Sequence, residues 1–284
     1  MILKTEKKKK MNIFHKKLFE NTVTIVTGGG TGIGRAITSD LVKLGGHVVI
    51  ASRKTDVLEN TKSDLSPNRI HVKQCDVTKS SDVKELFEFT KTHFGRLDHL
   101  VNNAGGQFPS PAENISANGF SAVMRLNVDS IFETSKHALN IFKEKERVGT
   151  IVNIIADMHN GFPGMAHTGA ARSAVENLTK SLSMEWIRHG VRVNAVAPGL
   201  IYSETAAKNY PPGFLESFAN EIPAKRLGTP EEVSSAVCFL LSPGASYITG
   251  VTLRVDAASS LYRRVGFEIP DINDNDNDQI HPYI

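Results

Sequence analysis

The sequence of 284 residues is short of cysteine and of long apolar runs, and both absences exclude classes of protein. Only Cys75 and Cys238 are present, far apart and without metal-ligand spacing, which excludes a disulfide framework and favours reduced thiols in a core. No run approaches the ~18 apolar residues of a membrane span. The net charge of +3 is too small to indicate nucleic-acid binding. We expect an intracellular protein of a reducing compartment.

Recognisable targeting and metal-binding segments are also missing. Residues 1–20 are rich in lysine but have no apolar core or arginine, so they do not match a secretory signal and fit a mitochondrial presequence poorly. The chain ends in Pro-Tyr-Ile, which is not a Ser-Lys-Leu peroxisomal signal. The Asp/Asn alternation over 271–278 lacks the glycine and glutamate of a calcium loop. We predict a basic, flexible leader over 1–20, one domain over 21–262, a polar tail over 263–284, and no metal site.

A glycine-rich turn is the stretch around which the chain is organised. Residues 23–34 read Val-Thr-Ile-Val-Thr-Gly-Gly-Gly-Thr-Gly-Ile-Gly, and an amphipathic segment follows. Glycines let the backbone approach a pyrophosphate closely, and the N–H groups at a helix N-terminus attract the anion. A second β-branched run, 47–51, completes a βαβ unit. In that context the turn predicts a dinucleotide site rather than a purely structural turn.

Strand-like runs alternate with helix-length stretches along the chain. The predicted strands are 23–27, 47–51, 70–75, 98–102, 150–155, 192–197 and 251–255. Apolar residues at three- and four-residue spacing between them predict helices. This alternation favours a parallel sheet covered on both faces, with ligands outside the carboxyl ends of the strands. We predict an α/β, single-domain Rossmann fold with a doubly wound sheet of about seven strands.

The end of the second predicted strand bears on the choice of cofactor. NAD binding usually uses a carboxylate there for the ribose 2′-hydroxyl, whereas the 2′-phosphate of NADP needs a cation. This chain offers Ser52, Arg53 and Lys54, and no acid before Asp56. Arg53 can bind a phosphate through two N–H groups, and Ser52 can donate to it. The segment predicts NADP(H); the alternative is that Arg53 and Lys54 only face solvent.

Further motifs follow the turn in a fixed order. They are Thr27-Gly28-xxx-Gly32-x-Gly34, Asp76-Val77, Asn102-Asn103-Ala104-Gly105, Asn127 and Pro198-Gly199. In order and spacing they resemble the short-chain dehydrogenase/reductase family over about residues 20–260. The resemblance implies a homo-oligomer, either dimer or tetramer, and a cofactor held by the following residues: Thr27, Gly28, Gly30, Thr31, Gly32, Ile33 and Gly34 at the pyrophosphate; Asp76, Val77, Asn103, Ala104 and Gly105 around the adenosine; and Arg172, Pro198, Gly199, Ile201 and Ser203 at the nicotinamide.

The catalytic set usual in that family, Ser and Tyr-x-x-x-Lys, is absent from this sequence. By the resemblance, Arg172 stands at the lysine, Thr168 at the tyrosine and Ala156 near the serine. Reduction of a ketone creates an alkoxide, which needs a nearby acid with a depressed pKa, and threonine is not one. We therefore do not expect an ordinary alcohol dehydrogenase or ketone reductase.

A carbon–carbon double bond conjugated to a thioester relaxes that demand, because hydride addition places the charge on the thioester oxygen, where hydrogen-bond donors stabilise it. The stretches 151–155, 167–172, 198–203 and 222–226 resemble the enoyl-CoA and 2,4-dienoyl-CoA reductase branch of the family, and most closely the peroxisomal trans-2-enoyl-CoA reductases. This implies NADPH-dependent reduction of a trans-2-enoyl-CoA in fatty acid metabolism. The alternatives are 2,4-dienoyl-CoA reduction and a non-catalytic NADP-binding sensor or scaffold. Peroxisome, cytoplasm and mitochondrion all stay open.

Four side chains receive roles from the resemblance. Arg172 is expected to hold the nicotinamide ribose, and Asn127 to anchor a water or a polar link near the site. Thr168 and Tyr202 are expected to lie around the thioester oxygen or the proton path. The plainer alternatives are a surface cation at Arg172, a helix bend at Asn127, an inert filler at Thr168 and simple packing at Tyr202.

Three more side chains and one long segment complete the prediction. Asp157, His159 and His167 are further candidates for proton transfer. The segment 200–228 contains Pro211-Pro-Gly213 and has the length of a substrate lid. Its cations would meet the phosphates of coenzyme A or simply face solvent: Lys208, Lys225 and Arg226.

Overall fold

The computed structural model describes residues 16–144, 148–203, 207, 213 and 216–262. The predicted tail 263–284, most of the predicted leader and Lys208 lie outside the described residues. Packing begins before the predicted domain boundary, since Phe19 is buried in the core and its amide donates to the carbonyl oxygen of Leu44 at 2.9 Å.

Seven strands of the described chain form one parallel sheet. They are Val23–Thr27 (β1), His47–Ser52 (β2), Ile70–Gln74 (β3), His99–Asn102 (β4), Gly149–Ile154 (β5), Val191–Pro198 (β6) and Thr252–Val255 (β7). Their order is β3-β2-β1-β4-β5-β6-β7, and every neighbouring pair is parallel. The connection changes direction between β1 and β4, and doubly wound sheets bind ligands at the carboxyl ends of such strands. The predicted seven-stranded Rossmann sheet is confirmed.

Seven α-helices of the described chain connect these strands. They are Gly32–Lys43 (α1), Thr55–Leu65 (α2), Ser80–Phe94 (α3), Ala117–Met124 (α4), Ser130–Glu144 (α5), Ala166–Trp186 (α6) and Pro230–Leu241 (α7). A π-helical turn, Arg125–Asp129, joins α4 to α5. None of these helices is both long and apolar enough to cross a membrane.

Helices cover both faces of the sheet because alternate residues of each strand point to opposite sides. Ile25 of β1 packs in a cluster with residues of α3, α5 and α6. Its neighbour Val26 packs in a second cluster with residues of α1, α2 and α7. Strands β1 and β6 are buried along their whole length, as expected for a parallel sheet between two helical layers.

A buried chain of hydrogen bonds crosses the centre of the sheet. Asn102 Nδ2 in β4 donates to Asn153 Oδ1 in β5 at 2.9 Å, and Asn153 Nδ2 donates to Thr179 Oγ1 in α6 at 3.0 Å. Thr134 Oγ1 in α5 donates to Asn102 Oδ1 at 2.8 Å. Buried polar groups need such partners. These hydrogen bonds therefore fix α5 and α6 against β4 and β5, whose carboxyl ends border the expected ligand-binding crevice.

The two cysteines are free and buried, as the sequence predicts. Burial raises the pKa of Cys75 and of Cys238 to about 12, so both thiols stay protonated and are poor nucleophiles. Among the described residues, no group of three or more His, Cys, Asp or Glu side chains could hold a metal ion.

Candidate active site

In the turn between β1 and α1, some glycines border open space and others are in close contact with neighbouring backbone. Gly28 and Gly32 have φ angles of +66° and +48°, a region that glycine enters at little cost. A Cβ on Gly34 would overlap the carbonyl oxygen of Gly28, whereas a Cβ on Gly32 would meet only the side chain of Ser203, at 3.5 Å. The space outside Gly32 and the N-terminus of α1 is therefore free for an anion such as a pyrophosphate.

The loops after β1 and β4 are locked together by two side chains that the sequence assigns to the cofactor. Thr27 Oγ1 accepts from the backbone amides of Asn103 and Ala104, both at 3.0 Å. Asn103 Nδ2 donates to the carbonyl oxygens of Thr27 and Gly28, at 3.0 and 3.2 Å. The polar atoms of Thr27 and Asn103 thus shape the crevice, which sequence reasoning alone did not show.

The end of β2 presents the predicted phosphate-binding residues. Arg53 and Lys54 are exposed, and the backbone amide of Lys54 donates to Ser52 Oγ at 3.3 Å. Burial acts to raise the pKa of Asp76, but hydrogen bonds from Thr78 and the positive charge of Arg53 outweigh it, and the pKa lies below its usual value. Asp76 therefore lies within the field of Arg53, where an adenosine would enter the crevice.

Arg172 is buried rather than a surface cation. Its Nη1 donates to the carbonyl oxygen of Ile154 at the end of β5, at 2.9 Å. A Cβ on Gly105 would lie 2.6 Å from Arg172 Nη2. Burial lowers the pKa of Arg172 to about 10, which still leaves the guanidinium charged at neutral pH. Its Nε is buried with no partner among the described residues, so one donor of the guanidinium is unused.

Asn127 lies in the π-helical turn and holds the glycine loop after β4. Its Nδ2 donates to the carbonyl oxygens of Gly106 and Val123, both at 2.8 Å, and its Oδ1 accepts from the amide of Gly106 at 3.2 Å. Both donors of the amide are therefore used, and only a lone pair of Oδ1 is left. Asn127 positions the loop beside Arg172; its link to a water stays a prediction.

Thr168, at the position of the family's tyrosine, is fully buried and faces a histidine. Its backbone amide donates to His167 Nδ1 at 2.9 Å, and its Oγ1 lies 3.4 Å from the same nitrogen. The ring of Phe108, in the loop after β4, packs edge-on against His167 with centroids 4.4 Å apart. Nothing in the sequence pattern indicates the contact with Phe108, because a single phenylalanine in a loop carries no signal.

The two ends of the predicted lid, residues 200–228, are hydrogen-bonded to each other. Ile201 forms a parallel bridge with Gly228, and the amide of Tyr202 donates to the carbonyl oxygen of Gly228 at 2.9 Å. Inside the segment that this bridge closes, Arg226 binds Glu232 of α7 through two hydrogen bonds of 3.0 and 2.7 Å. The guanidinium that the sequence offers to coenzyme A is thus engaged in an ion pair.

Tyr202 and Ser203 lie on the wall of an open cavity of about 620 Å³. The same cavity is lined by Gly30, Thr31 and Gly32 of the turn. Tyr202 is 41% exposed, so its phenol is accessible from this side. The cavity therefore connects the base of the lid with the predicted pyrophosphate site.

Asp157 and His159, two of the predicted proton-transfer residues, lie apart from the site around Arg172. They line a separate cavity of about 250 Å³ with Arg254 of β7, and Arg254 Nη2 lies 3.3 Å from His159 Nδ1. The carbonyl oxygen of Pro198 accepts from the amide of Asp157 at 3.0 Å, and Gly199 donates to Val255 at 3.0 Å. Pro198 and Gly199 thus bind backbone of the segments on the two sides of β6, and the structure does not bring Asp157 or His159 to Arg172.

Comparison with known proteins agrees with this geometry. A family model described as enoyl-(acyl carrier protein) reductase matches residues 28–258. The chain belongs to the short-chain dehydrogenase/reductase family. Members of this family are oxidoreductases that use a nicotinamide cofactor, and the bare glycine turn together with the buried Arg172 beside Gly105 fits that group.

Curated members of the short-chain dehydrogenase/reductase family are similar over most of the chain. A probable 2,4-dienoyl-CoA reductase of Bacillus subtilis, named (2E)-enoyl-CoA-producing, is 35% identical over 85% of this chain and 98% of that protein. A peroxisomal 2,4-dienoyl-CoA reductase of Danio rerio, named (3E)-enoyl-CoA-producing, is 35% identical over 88% of this chain and 85% of that protein.

A solved member of the family is similar as well. A citronellol catabolism dehydrogenase of Pseudomonas aeruginosa is 42% identical with a TM-score of 0.77, covering 87% of this chain and 98% of that one. These names include both reductases of dienoyl-CoA and a dehydrogenase, so membership of the family does not define the substrate.

Proposed function

We propose that this protein is an NADPH-dependent reductase of trans-2-enoyl-CoA thioesters. The observation that carries the proposal is the pair Thr168 and Arg172, which stand one helical turn apart where the family's tyrosine and lysine are expected. The phenol that protonates an alkoxide is missing, and a buried guanidinium remains. Reduction of a conjugated thioester does not need that phenol, because the negative charge formed by hydride addition is delocalised onto the carbonyl oxygen.

The preference for NADPH is the second part of the proposal. Arg53 is exposed at the end of β2, where a carboxylate would be needed for the ribose hydroxyl of NAD. Its positive charge lowers the pKa of Asp76, the residue assigned to the adenosine by the family resemblance, which supports this assignment. When bound there, the reduced cofactor supplies hydride to the β-carbon of the substrate.

Arg172 and Asn127 then bind and orient rather than transfer protons. Arg172 has only donors and stays charged at neutral pH, so it holds hydroxyl groups but does not act as a base. Asn127 fixes the loop of Gly105 and Gly106 against it. Tyr202 is the exposed phenol beside the cavity and is assigned to the thioester or to the proton path. The acyl chain would lie under the segment 200–228 within one catalytic domain over 21–262, in a homo-oligomer.

Reduction of a 2,4-dienoyl-CoA is the second candidate. It is supported by the two dienoyl-CoA reductases that are 35% identical to this chain. Both reactions use the same cofactor and an acyl-CoA, and they differ in the length of the conjugated system. A non-catalytic NADP-binding sensor is the candidate of another class, because the tyrosine is missing.

One assay separates these candidates. The purified protein is incubated with NADPH and, in turn, hex-2-enoyl-CoA, hexa-2,4-dienoyl-CoA and a simple ketone, while loss of NADPH absorbance is followed and products are identified by mass. We expect turnover of the hexenoyl thioester to hexanoyl-CoA. Turnover of the ketone alone overturns the proposal, faster turnover of the dienoyl thioester favours the second candidate, and NADPH binding without any turnover favours the sensor. Gly34→Ala, which would fill the turn, is the inactive control.

A further inference from the structure

His167 is a buried histidine with one nitrogen unused. The side chain is fully shielded from solvent in the first turn of α6. Its Nε2 has no hydrogen-bond partner among the described residues. A buried polar group without a partner costs folding free energy, and such groups in native proteins often mark functional positions.

The other nitrogen fixes which tautomer the ring adopts. His167 Nδ1 lies 2.9 Å from the backbone nitrogen of Thr168, and a backbone N–H only donates. Nδ1 is therefore an acceptor, and the single proton of the neutral ring is on Nε2. Thr168 Oγ1, 3.4 Å from Nδ1, adds a hydroxyl to the same side of the ring. The unused atom of His167 is thus an N–H donor.

The ring lies next to the loop that shapes the crevice. Gly105 and Gly106 of this loop contact Arg172 and Asn127, and two residues further on Phe108 packs against His167. Phe108 is 40% exposed, so the buried imidazole packs against a ring that a ligand can reach. A substrate that displaces Phe108 would approach the imidazole.

We propose that His167, neutral and protonated on Nε2, donates the hydrogen bond that binds the thioester carbonyl oxygen, and that Thr168 positions it. This inference rests on the proposed function and assigns the oxyanion donor of that site. Addition of hydride to the β-carbon moves the double-bond electron pair into the bond between the α-carbon and the carbonyl carbon, and the carbonyl pair onto oxygen. The proton stays on Nε2, and water supplies the proton of the α-carbon. Thr168 is a positioning residue, since it acts through Nδ1.

The test compares two substitutions at His167 with a matched control. His167→Phe removes the donor and keeps a flat ring beside Phe108, whereas His167→Gln retains an N–H donor. His99→Phe is the control, because His99 Nδ1 also lacks a partner among the described residues but lies at the opposite end of β4 from the crevice. Turnover of hex-2-enoyl-CoA, NADPH affinity by fluorescence, butyryl-CoA affinity by calorimetry, and Tm are measured for each.

We expect His167→Phe to lower kcat by roughly 100-fold, the usual loss when one oxyanion donor is removed. NADPH affinity should stay within about twofold, and the change in Tm should be no larger than that of His99→Phe. His167→Gln should recover at least about tenfold of the lost kcat. Unchanged kcat in His167→Phe overturns the inference, as does a loss that falls equally on NADPH affinity and is not recovered by glutamine.

The same variants separate this inference from the proposed function. Wild-type protein without turnover of any enoyl-CoA overturns the proposed function. In that case butyryl-CoA affinity decides the role of His167, and a drop of about fivefold in His167→Phe, the value of one hydrogen bond, supports it. Equal butyryl-CoA affinity of wild type and His167→Phe then overturns it.

Discussion

Arg172 Nη1 donates to the carbonyl oxygen of Ile154 at 2.9 Å, so the one cation that α6 places in the crevice is tied to the end of β5. The hydrogen bond orients the guanidinium toward Gly105 and satisfies a carbonyl group at the point where the strand ends. The proposed binding of the cofactor and the stability of the sheet therefore involve the same side chain.

Replacing Arg172 with methionine should lower both the stability of the protein and its affinity for the cofactor. Methionine fills the stem but leaves the Ile154 carbonyl unpaired, so we expect unfolding free energy to fall by about 1–3 kcal/mol and cofactor affinity to fall at least about tenfold. Urea unfolding and fluorescence titration measure the two effects.

The matched control for that change is Arg192→Met. Arg192 is also buried and donates to the carbonyl oxygen of Ile248 at 3.1 Å, but it lies near the start of β6, away from the crevice. The Arg192→Met variant should be less stable than the wild type but should bind the cofactor with the same affinity. An equal drop in affinity would show that the effect of Arg172 is only structural.

Arg53→Ala should change the selectivity between the two nicotinamide cofactors. Loss of a charge-assisted phosphate contact of about 1.5–3 kcal/mol predicts a roughly 10- to 100-fold weaker binding of NADPH, with NADH nearly unaffected. Arg69→Ala removes a cation just before β3, at the other end of the neighbouring strand, and should leave both affinities unchanged. Similar losses for NADPH and NADH in Arg53→Ala would refute the assignment of a 2′-phosphate site.

Stability should decrease as the pH falls from 6.5 toward 4. Burial lowers the pKa of His99 from 6.5 to about 4, so in this window the unfolded chain binds a proton that the folded protein does not. The contribution is fully present above pH 6.5 and is lost on acidification. For the partly exposed His99 we expect about 2 kcal/mol. His99→Gln should show a correspondingly smaller difference in urea-unfolding free energy between pH 7 and pH 4; an unchanged difference would exclude His99 as its source.

Glu232→Gln should loosen the base of the lid. Glu232 accepts two hydrogen bonds from Arg226 and one of 2.8 Å from the amide of Thr229, and the bond from Arg226 lowers its pKa. The amide side chain loses the charge, so we expect a higher KM for acyl-CoA and a stability loss of about 1 kcal/mol. Thr229→Ala breaks only the helix cap and should cost similar stability without raising KM. Equal KM values for the two variants would show that the ion pair between Arg226 and Glu232 does not contribute to substrate binding.

The strands of the fold could be predicted to within one residue at each end, because buried parallel strands are rich in β-branched residues, as in the continuous run Val23–Thr27. The glycine turn was equally readable, since only glycine satisfies the backbone there. The NADPH preference and the side-chain roles at the site stay predictions.

Contacts between distant parts of the chain were not readable. The pairs of Arg172 with Ile154, Asn127 with Gly106, and His167 with Phe108 join segments on different elements, and no spacing rule connects them. For the same reason the sequence did not show that the hydroxyl oxygen of Thr27 binds the amides of the loop after β4; its role at the cofactor stays a prediction.

The bridge between Ile201 and Gly228 closes the lid segment at its own base, outside β6 and α7. Closure entropy grows slowly with loop length, by about 0.6 kcal/mol for each doubling, once the two ends are held. A change in the length of the segment between these two residues therefore costs the sheet little in closure entropy. The length of the proposed substrate lid is thereby separable, in free energy, from the sheet that carries the proposed cofactor residues at the end of β2.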